Sequence, residues 1–229
     1  MGVVLSVQTF INSEKHMMNN RQLRWGIVSI ATMLILFLGH QAFAGKTLSK
    51  DIAPDVPVET LQTLNQASAV YYEGSGKKDV ILIADVFCEN SRKAYGLMKK
   101  NLQYIRSISV LWVSRYSQLG SDIVAAHVMR MHSLGKGLTA LEAAFDFEVP
   151  QEAGFKGRRQ SIDFVKNTFQ VQLGEHEKPD TLAELQRVVD NTNLAEDIGY
   201  DGTPHFIADR RVLHGYSRAA IKIMLRKDN

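Results

Sequence analysis

From Val80 to Val86 every residue but Asp85 is apolar. A continuous run of that length suits a strand buried on both faces. At Glu89 the period changes. Ala94, Leu97, Met98, Leu102 and Ile105 recur at spacings of three and four, which predicts a helix with one apolar face. Ile108–Val113 is a second apolar run. Strand, helix and strand in this order form a βαβ unit, whose strands run parallel with a right-handed crossover.

On the amino-terminal side, Glu59–Ala67 reads as a short helix, Ala69–Tyr72 as a strand and Glu73–Lys78 as a turn cluster. After Val113 the chain is mainly helical, from about 116 to 200. Ile123, Ala126, His127, Arg130 and Leu134 mark one helix with its apolar positions turned inward, and Thr139–Phe147 gives another. Ile162, Val165, Phe169 and Leu173 mark a third, and Gly154–Arg159 before it reads as a basic connector. Thr181, with Glu184 three residues on, has capping-box spacing and opens a fourth helix faced by Leu182, Leu185, Val189 and Ile198. The chain then returns to strand. Pro204–Ala208 and Val212–Tyr216 flank Asp209-Arg210-Arg211, a hairpin turn. Ser217 can cap a closing helix with Ala220, Ile223 and Met224 on its apolar side. The order β, βαβ, helical insert, ββα describes an α/β protein with a mixed central sheet.

The first residues change the picture of where this fold works. Arg21 and Arg24 precede an apolar run from Trp25 to Leu38, and Ala42-Phe43-Ala44 follows. This is the layout of a secretory signal cut after Ala44. The run is short of the roughly 20 apolar residues that span a bilayer. Membrane attachment is therefore expected only through an uncleaved signal segment. Residues 1–16 fit no part of a signal, and Met17 or Met18 is an alternative start. The chain thus divides into a signal at 1–44, a lead-in at 45–78 and a main domain at 79–229, and its expected location is the periplasm. The formal charge of +3 falls to near neutrality without Lys15, Arg21, Arg24 and Glu14. That balance gives no reason to expect a nucleic-acid partner or an anionic lipid surface.

Cys88 is the only cysteine. Disulfides persist outside the cytoplasm, yet this chain cannot close one internally. On count alone, an inert buried thiol is the plainer account, and a reactive or intermolecular thiol is the alternative. Position favours reactivity. Cys88 ends the turn just before a helix, where unpaired N–H groups and the helix dipole favour a thiolate, the nucleophilic form. Glu89, adjacent and acidic, acts against this. Asn90 and Ser91 can donate hydrogen bonds to the sulfur.

Asp85-Val86-Phe87-Cys88-Glu89-Asn90-Ser91 resembles the F-x-D-x-x-C-x-x-C site of periplasmic Dsb-type thiol–disulfide oxidoreductases, within the thioredoxin superfamily. Asp85 and Cys88 are in register, and Ser91 stands in place of the second cysteine. Gly202-Thr203-Pro204 resembles that family's cis-proline segment, and Gly215-Tyr216 the end of its last strand. A helical subdomain before the cis-proline strand is also typical. The resemblance covers about Val80 to Leu225. It implies a thioredoxin-like fold with a helical insertion subdomain, and a cis Thr203–Pro204 peptide beside Cys88. It also implies a loop that offers backbone hydrogen bonds to an extended substrate strand. Cys88, Ser91 and Asp85 are then candidate catalytic residues, and Thr203, Pro204, Phe87 and His205 candidate substrate-binding residues.

The residues themselves leave alternatives. A proline turn is ordinarily trans. His205 faces either the sulfur or the far side of its strand. Phe87 is core or the lip of a binding surface. Asp85 is a buried carboxylate tuning proton transfer, as the resemblance suggests, or only a hydrogen-bonding residue at the start of the helix. Two departures from the family matter. Without a resolving cysteine, net oxidation or reduction requires an external thiol. The segment before Val80 is also too short for the amino-terminal dimerisation domain of the family's dimeric isomerases.

No other chemistry is signalled. His127 and His132 share no helix face and no acidic or thiol pattern completes a metal site, so neither a metal nor a cofactor is expected. His176 lies in a charged, solvated loop, and Arg158-Arg159 reads as surface. Gly135-Lys136-Gly137 lacks the spacing of a phosphate loop, and no G-x-S-x-G elbow is present. Two functions remain. One is monothiol exchange, in which Cys88 attacks disulfides of exported client proteins, or small-thiol adducts, through a mixed disulfide. The other is a redox-inactive binding or assembly factor in the cell envelope, such as part of a secretion or conjugation apparatus.

Overall fold

The computed structural model describes Ile52–Ala53, residues 55–169 and residues 178–226. The expected signal at 1–44, Leu173 and the His176 loop lie outside the described residues. The strands are β1 (Ile52–Ala53), β2 (Ala69–Glu73), β3 (Lys78–Ala84), β4 (Ile105–Trp112), β5 (His205–Ala208) and β6 (Arg211–His214). The helices are α1 (Val58–Ala67), α2 (Glu89–Lys99), α3 (Ser121–Ser133), α4 (Gly137–Asp146), α5 (Phe155–Phe169), α6 (Lys178–Asp197) and α7 (Arg218–Arg226).

The strands form one mixed sheet in the order β1-β6-β5-β3-β4-β2. Only β3 and β4 run parallel, joined through α2, and the other neighbours are antiparallel. The sheet has a core on each face, which is why β3 is apolar at successive positions. Val80, Leu82 and Ala84 pack with Ala94, Met98, Ile221 and the α3 side chains on one face. Ile81 and Ile83 pack with Leu64 of α1, Ala195 of α6 and Tyr200 on the other. The four helices α3–α6 lie between β4 and β5 in the chain. Among them α3 is buried almost all round, from Ile123 to Met129. The β5–β6 turn is two residues long, Asp209 and Arg210, both at positive φ (49° and 65°). Paired positive φ values suit the twist of a tight hairpin. Arg211 therefore belongs to β6 and not to the turn.

Several expected faces are rotated. Helix α2 stops at Lys99, so Leu102 and Ile105 lie beyond it. Asn101 ends the helix: its side-chain amide donates to the Leu97 carbonyl at 2.8 Å and its N–H to that of Met98 at 2.8 Å. Ile105 then opens β4. Leu134 is 60% exposed because α3 ends one residue earlier. The connector expected at Gly154–Arg159 is mostly helix. Gly154 takes φ 76° and α5 starts at Phe155. Arg158 lies against α3, with Nη1 and Nη2 donating to the Asp122 carboxylate at 2.9–3.2 Å. In α6, Lys178 is already helical, so Thr181 lies inside the helix. Its buried positions are Val188, Asn191 and Ala195, while Leu182 and Val189 face solvent and Ile198 lies past its end. In α7, Ser217 Oγ accepts from the Ala220 N–H at 3.3 Å, and the buried face is Ala220, Ile221, Met224 and Leu225. Ile223 is turned outward.

Candidate functional site around Cys88

The register of the sheet assembles the site. Ile83 near the end of β3 lies opposite His205 at the start of β5. The residues following β3 and preceding β5 therefore leave the sheet side by side. Cys88 is the first of these pieces and Thr203-Pro204 the second. Cys88 is the N-cap residue of α2, with extended φ/ψ of −71° and 117°. Its carbonyl accepts the Arg92 N–H at 3.1 Å, the first intrahelical bond. The Thr203–Pro204 peptide is cis. Cys88 Sγ donates to the Thr203 carbonyl at 3.3 Å, across 115 residues of chain. Cys88 is 6% exposed.

Ser91 is fully buried, and its hydroxyl has no hydrogen-bond partner among the described residues. Asn90 is exposed. Neither side chain donates to the sulfur, contrary to the sequence-based expectation. The thiol instead donates to the Thr203 carbonyl, because the start of α2 directs Cys88 toward β5. Glu89 faces solvent and pairs with Lys93 at 2.6 Å. That hydrogen bond holds the Glu89 carboxyl below its ordinary range.

Asp85 is fully buried. Its Oδ1 accepts the Phe87 N–H at 2.7 Å. Its Oδ2 accepts the N–H groups of Arg115 (2.5 Å) and Tyr116 (3.1 Å) and the hydroxyl of Ser121 (2.9 Å). Burial raises the carboxyl above its ordinary value, and these four donors pull it back. The carboxylate thus ties the thiol turn to the segment that leads into α3.

Phe87 is not a lip. It is 4% exposed and packs on Phe147, ring centroids 5.8 Å apart, because the Asp85 turn folds its side chain inward. His205 faces away from the sulfur. Alternation along β5 puts it on the Ile207 side, where its ring lies 4.8 Å from those of Tyr200 and His214. Neither ring nitrogen has a hydrogen-bond partner among the described residues. Burial first, then the neighbouring His214, hold its imidazole down to about 4.

Two residues emerge that sequence reading passed over. Arg92, four residues after Cys88, donates from Nε to the Val86 carbonyl at 2.9 Å and from Nη1 to that of Phe147 at 2.6 Å. Its i+4 spacing from Cys88 was the available signal. Tyr116, exposed, borders the turn, its N–H donating to the Asp85 carboxylate. Arg115 pairs with Glu196 on α6. Among the described residues no group of His, Cys, Asp or Glu could hold a metal ion, and no helix is long and apolar enough to cross a membrane.

No protein-family model and no curated protein sequence matches the chain. Solved structures do. The catalytic domain of ScsC from Proteus mirabilis aligns at a TM-score of 0.54 and 17% identity, over 74% of this chain and 98% of that one. A periplasmic thioredoxin-like protein from Salmonella enterica aligns at 0.54 and 16%, over 76% and 100%. The thiol-disulfide exchange protein alpha-DsbA2 from Wolbachia pipientis aligns at 0.51 and 14%, over 73% and 92%. The fold is thioredoxin-like, of the kind these DsbA- and ScsC-type proteins share.

Proposed function

We propose that the protein is an exported monothiol exchange factor acting on disulfides of client proteins. The observation that carries this is the meeting of Cys88 Sγ with the Thr203 carbonyl, next to the cis peptide, at the start of α2. The fold supports it, since a protein described as a thiol-disulfide exchange protein shares it. The expected signal at 1–44 and a neighbour described as periplasmic support the location.

In the proposed cycle the Cys88 proton leaves first. The thiolate attacks one sulfur of a client disulfide. A Cys88–client S–S bond forms, the client S–S bond breaks, and the departing sulfur leaves as a thiolate. Ser91 cannot resolve the adduct. A second thiol, from the client or from a small thiol such as glutathione, attacks the client sulfur and returns Cys88 to its starting state. When the client supplies it, bonds are reshuffled with no net oxidation or reduction. Thr203 and Pro204 are the proposed docking edge for the client strand, and Asp85 fixes the turn.

The test uses a protein with scrambled disulfides as substrate. Wild type is expected to restore native pairing in a catalytic amount of a small thiol and to yield a reducible mixed disulfide on acid quenching. Cys88→Ser is expected to do neither. Equal activity of the two proteins sinks the proposal. The second reading, a redox-inactive envelope binding factor, is favoured by the burial of Cys88 and by the partner its S–H already has. Client capture that survives Cys88→Ser would select it.

A further inference from the structure

We propose that Arg92 is a positioning residue for Cys88, holding the thiol turn against the inserted helices and setting a positive charge that lacks an ion-pair partner one helical turn from the attacking residue. This rests on the monothiol reading. The placement of Arg92 is unfavourable on general grounds. A cation in the first turn of a helix opposes the macrodipole, which favours anions there. Arg92 is the fourth residue of α2 and is only partly exposed. Burial disfavours the charge further and holds the guanidinium below its ordinary value.

Two carbonyls compensate in part. Nε donates to Val86 at 2.9 Å, within the thiol turn, and Nη1 to Phe147 at 2.6 Å, just past α4. Both are neutral. No carboxylate lies within ion-pair distance of Arg92 among the described residues. Asp85 and Asp146 act on it only at longer range, and so does Cys88. Nη2 is buried and makes no hydrogen bond among the described residues. A half-buried cation with a spare donor and no anion is costly unless an anion forms nearby. The sulfur one turn away becomes that anion on losing its proton, and again each time a thiolate leaves it. The same side chain braces the turn mechanically. Its grip on Phe147 is reinforced by the Phe87–Phe147 ring contact and by the Phe147–Phe164 stack, centroids 4.0 Å apart.

The experiment compares wild type, Arg92→Gln and Arg92→Lys by the rate of Cys88 alkylation with iodoacetamide at pH 7, each with its melting temperature. R92Q keeps a donor without the charge and is expected to react at least about fivefold more slowly. R92K keeps the charge without the fork and is expected to recover at least about half of the lost rate. Equal rates in folded R92Q and wild type overturn the proposal, as does a slow rate that R92K fails to recover. Loss of the fold in both variants also overturns it, since Arg92 would then serve the fold and not the thiol. Failure of the underlying reading looks different: wild type itself would form no Cys88-dependent mixed disulfide, whatever the variants do.

Discussion

Replacing Asp85 probes the anchor beneath the thiol turn. Its carboxylate takes four donors, three of them main-chain N–H groups. In Asp85→Ala the Ser121 hydroxyl can keep Ser114 Oγ, 2.9 Å away, but the N–H groups of Phe87, Arg115 and Tyr116 lose their acceptor. A buried donor left alone costs about 1–3 kcal/mol. Arg115 is half-buried and Tyr116 exposed, so water recovers part of two of these. Alanine also removes a charge that burial disfavours. The net cost is about 3 kcal/mol. Asparagine keeps an oxygen for the donors on Oδ2 and sets its amide against the Phe87 N–H, costing about 1–2 kcal/mol. The pH dependence separates charge from shape. Burial raises the folded carboxyl above its ordinary 3.8. Its contribution is therefore complete below that value and is lost as pH rises through the folded value. Wild type should lose stability relative to D85N as pH rises above the ordinary 3.8. Urea unfolding at a series of pH values reads this, and every other titrating group cancels in the difference. A difference that is flat, or that moves in wild type's favour as pH rises, refutes the account.

Other outcomes follow from particular contacts. His205 is held down to about 4 by burial and by His214, with Arg115 adding to this and Asp201 opposing it. Its contribution is complete above 6.5, the ordinary histidine value, and is lost as pH falls toward the folded one. His205→Phe should therefore remove about 2–3 kcal/mol of the acid sensitivity between pH 6.5 and 4, measured by urea midpoints. Gly120, at φ 91° before α3, would place a Cβ 2.7 Å from that of Ser161. Gly120→Ala should cost about 2–3 kcal/mol and lower the melting temperature, and a loss below about 0.5 kcal/mol would contradict the packing.

The strands and the thiol turn were legible because their signals are local. An apolar run as long as Val80–Val86 has few alternatives, and Cys88 and Pro204 occupy motif positions whose spacing is read directly. The helix faces were less legible. Helix α6 carries apolar residues on more than one side, and only its packing on α3 decides that Val188 and Ala195 go inside while Leu182 and Val189 do not. The far-side position of His205 follows from alternation with Ile207, but its strand had to be paired with β3 before that counted. The Asp85 network could not be read at all. Three of its donors are main-chain N–H groups, two of them from residues 115 and 116, and backbone donors leave no mark on residue identity.

The Asp85 carboxylate also limits how this architecture can be re-engineered. One side chain spans the boundary between the half that carries Cys88 and the inserted helices, gripping both banks. A chimera that exchanged the whole insert for another bundle would sever the N–H groups of Arg115 and Tyr116 and the Ser121 hydroxyl in a single cut. The practical splice point therefore lies after Ser121, with the short run ahead of it transplanted intact.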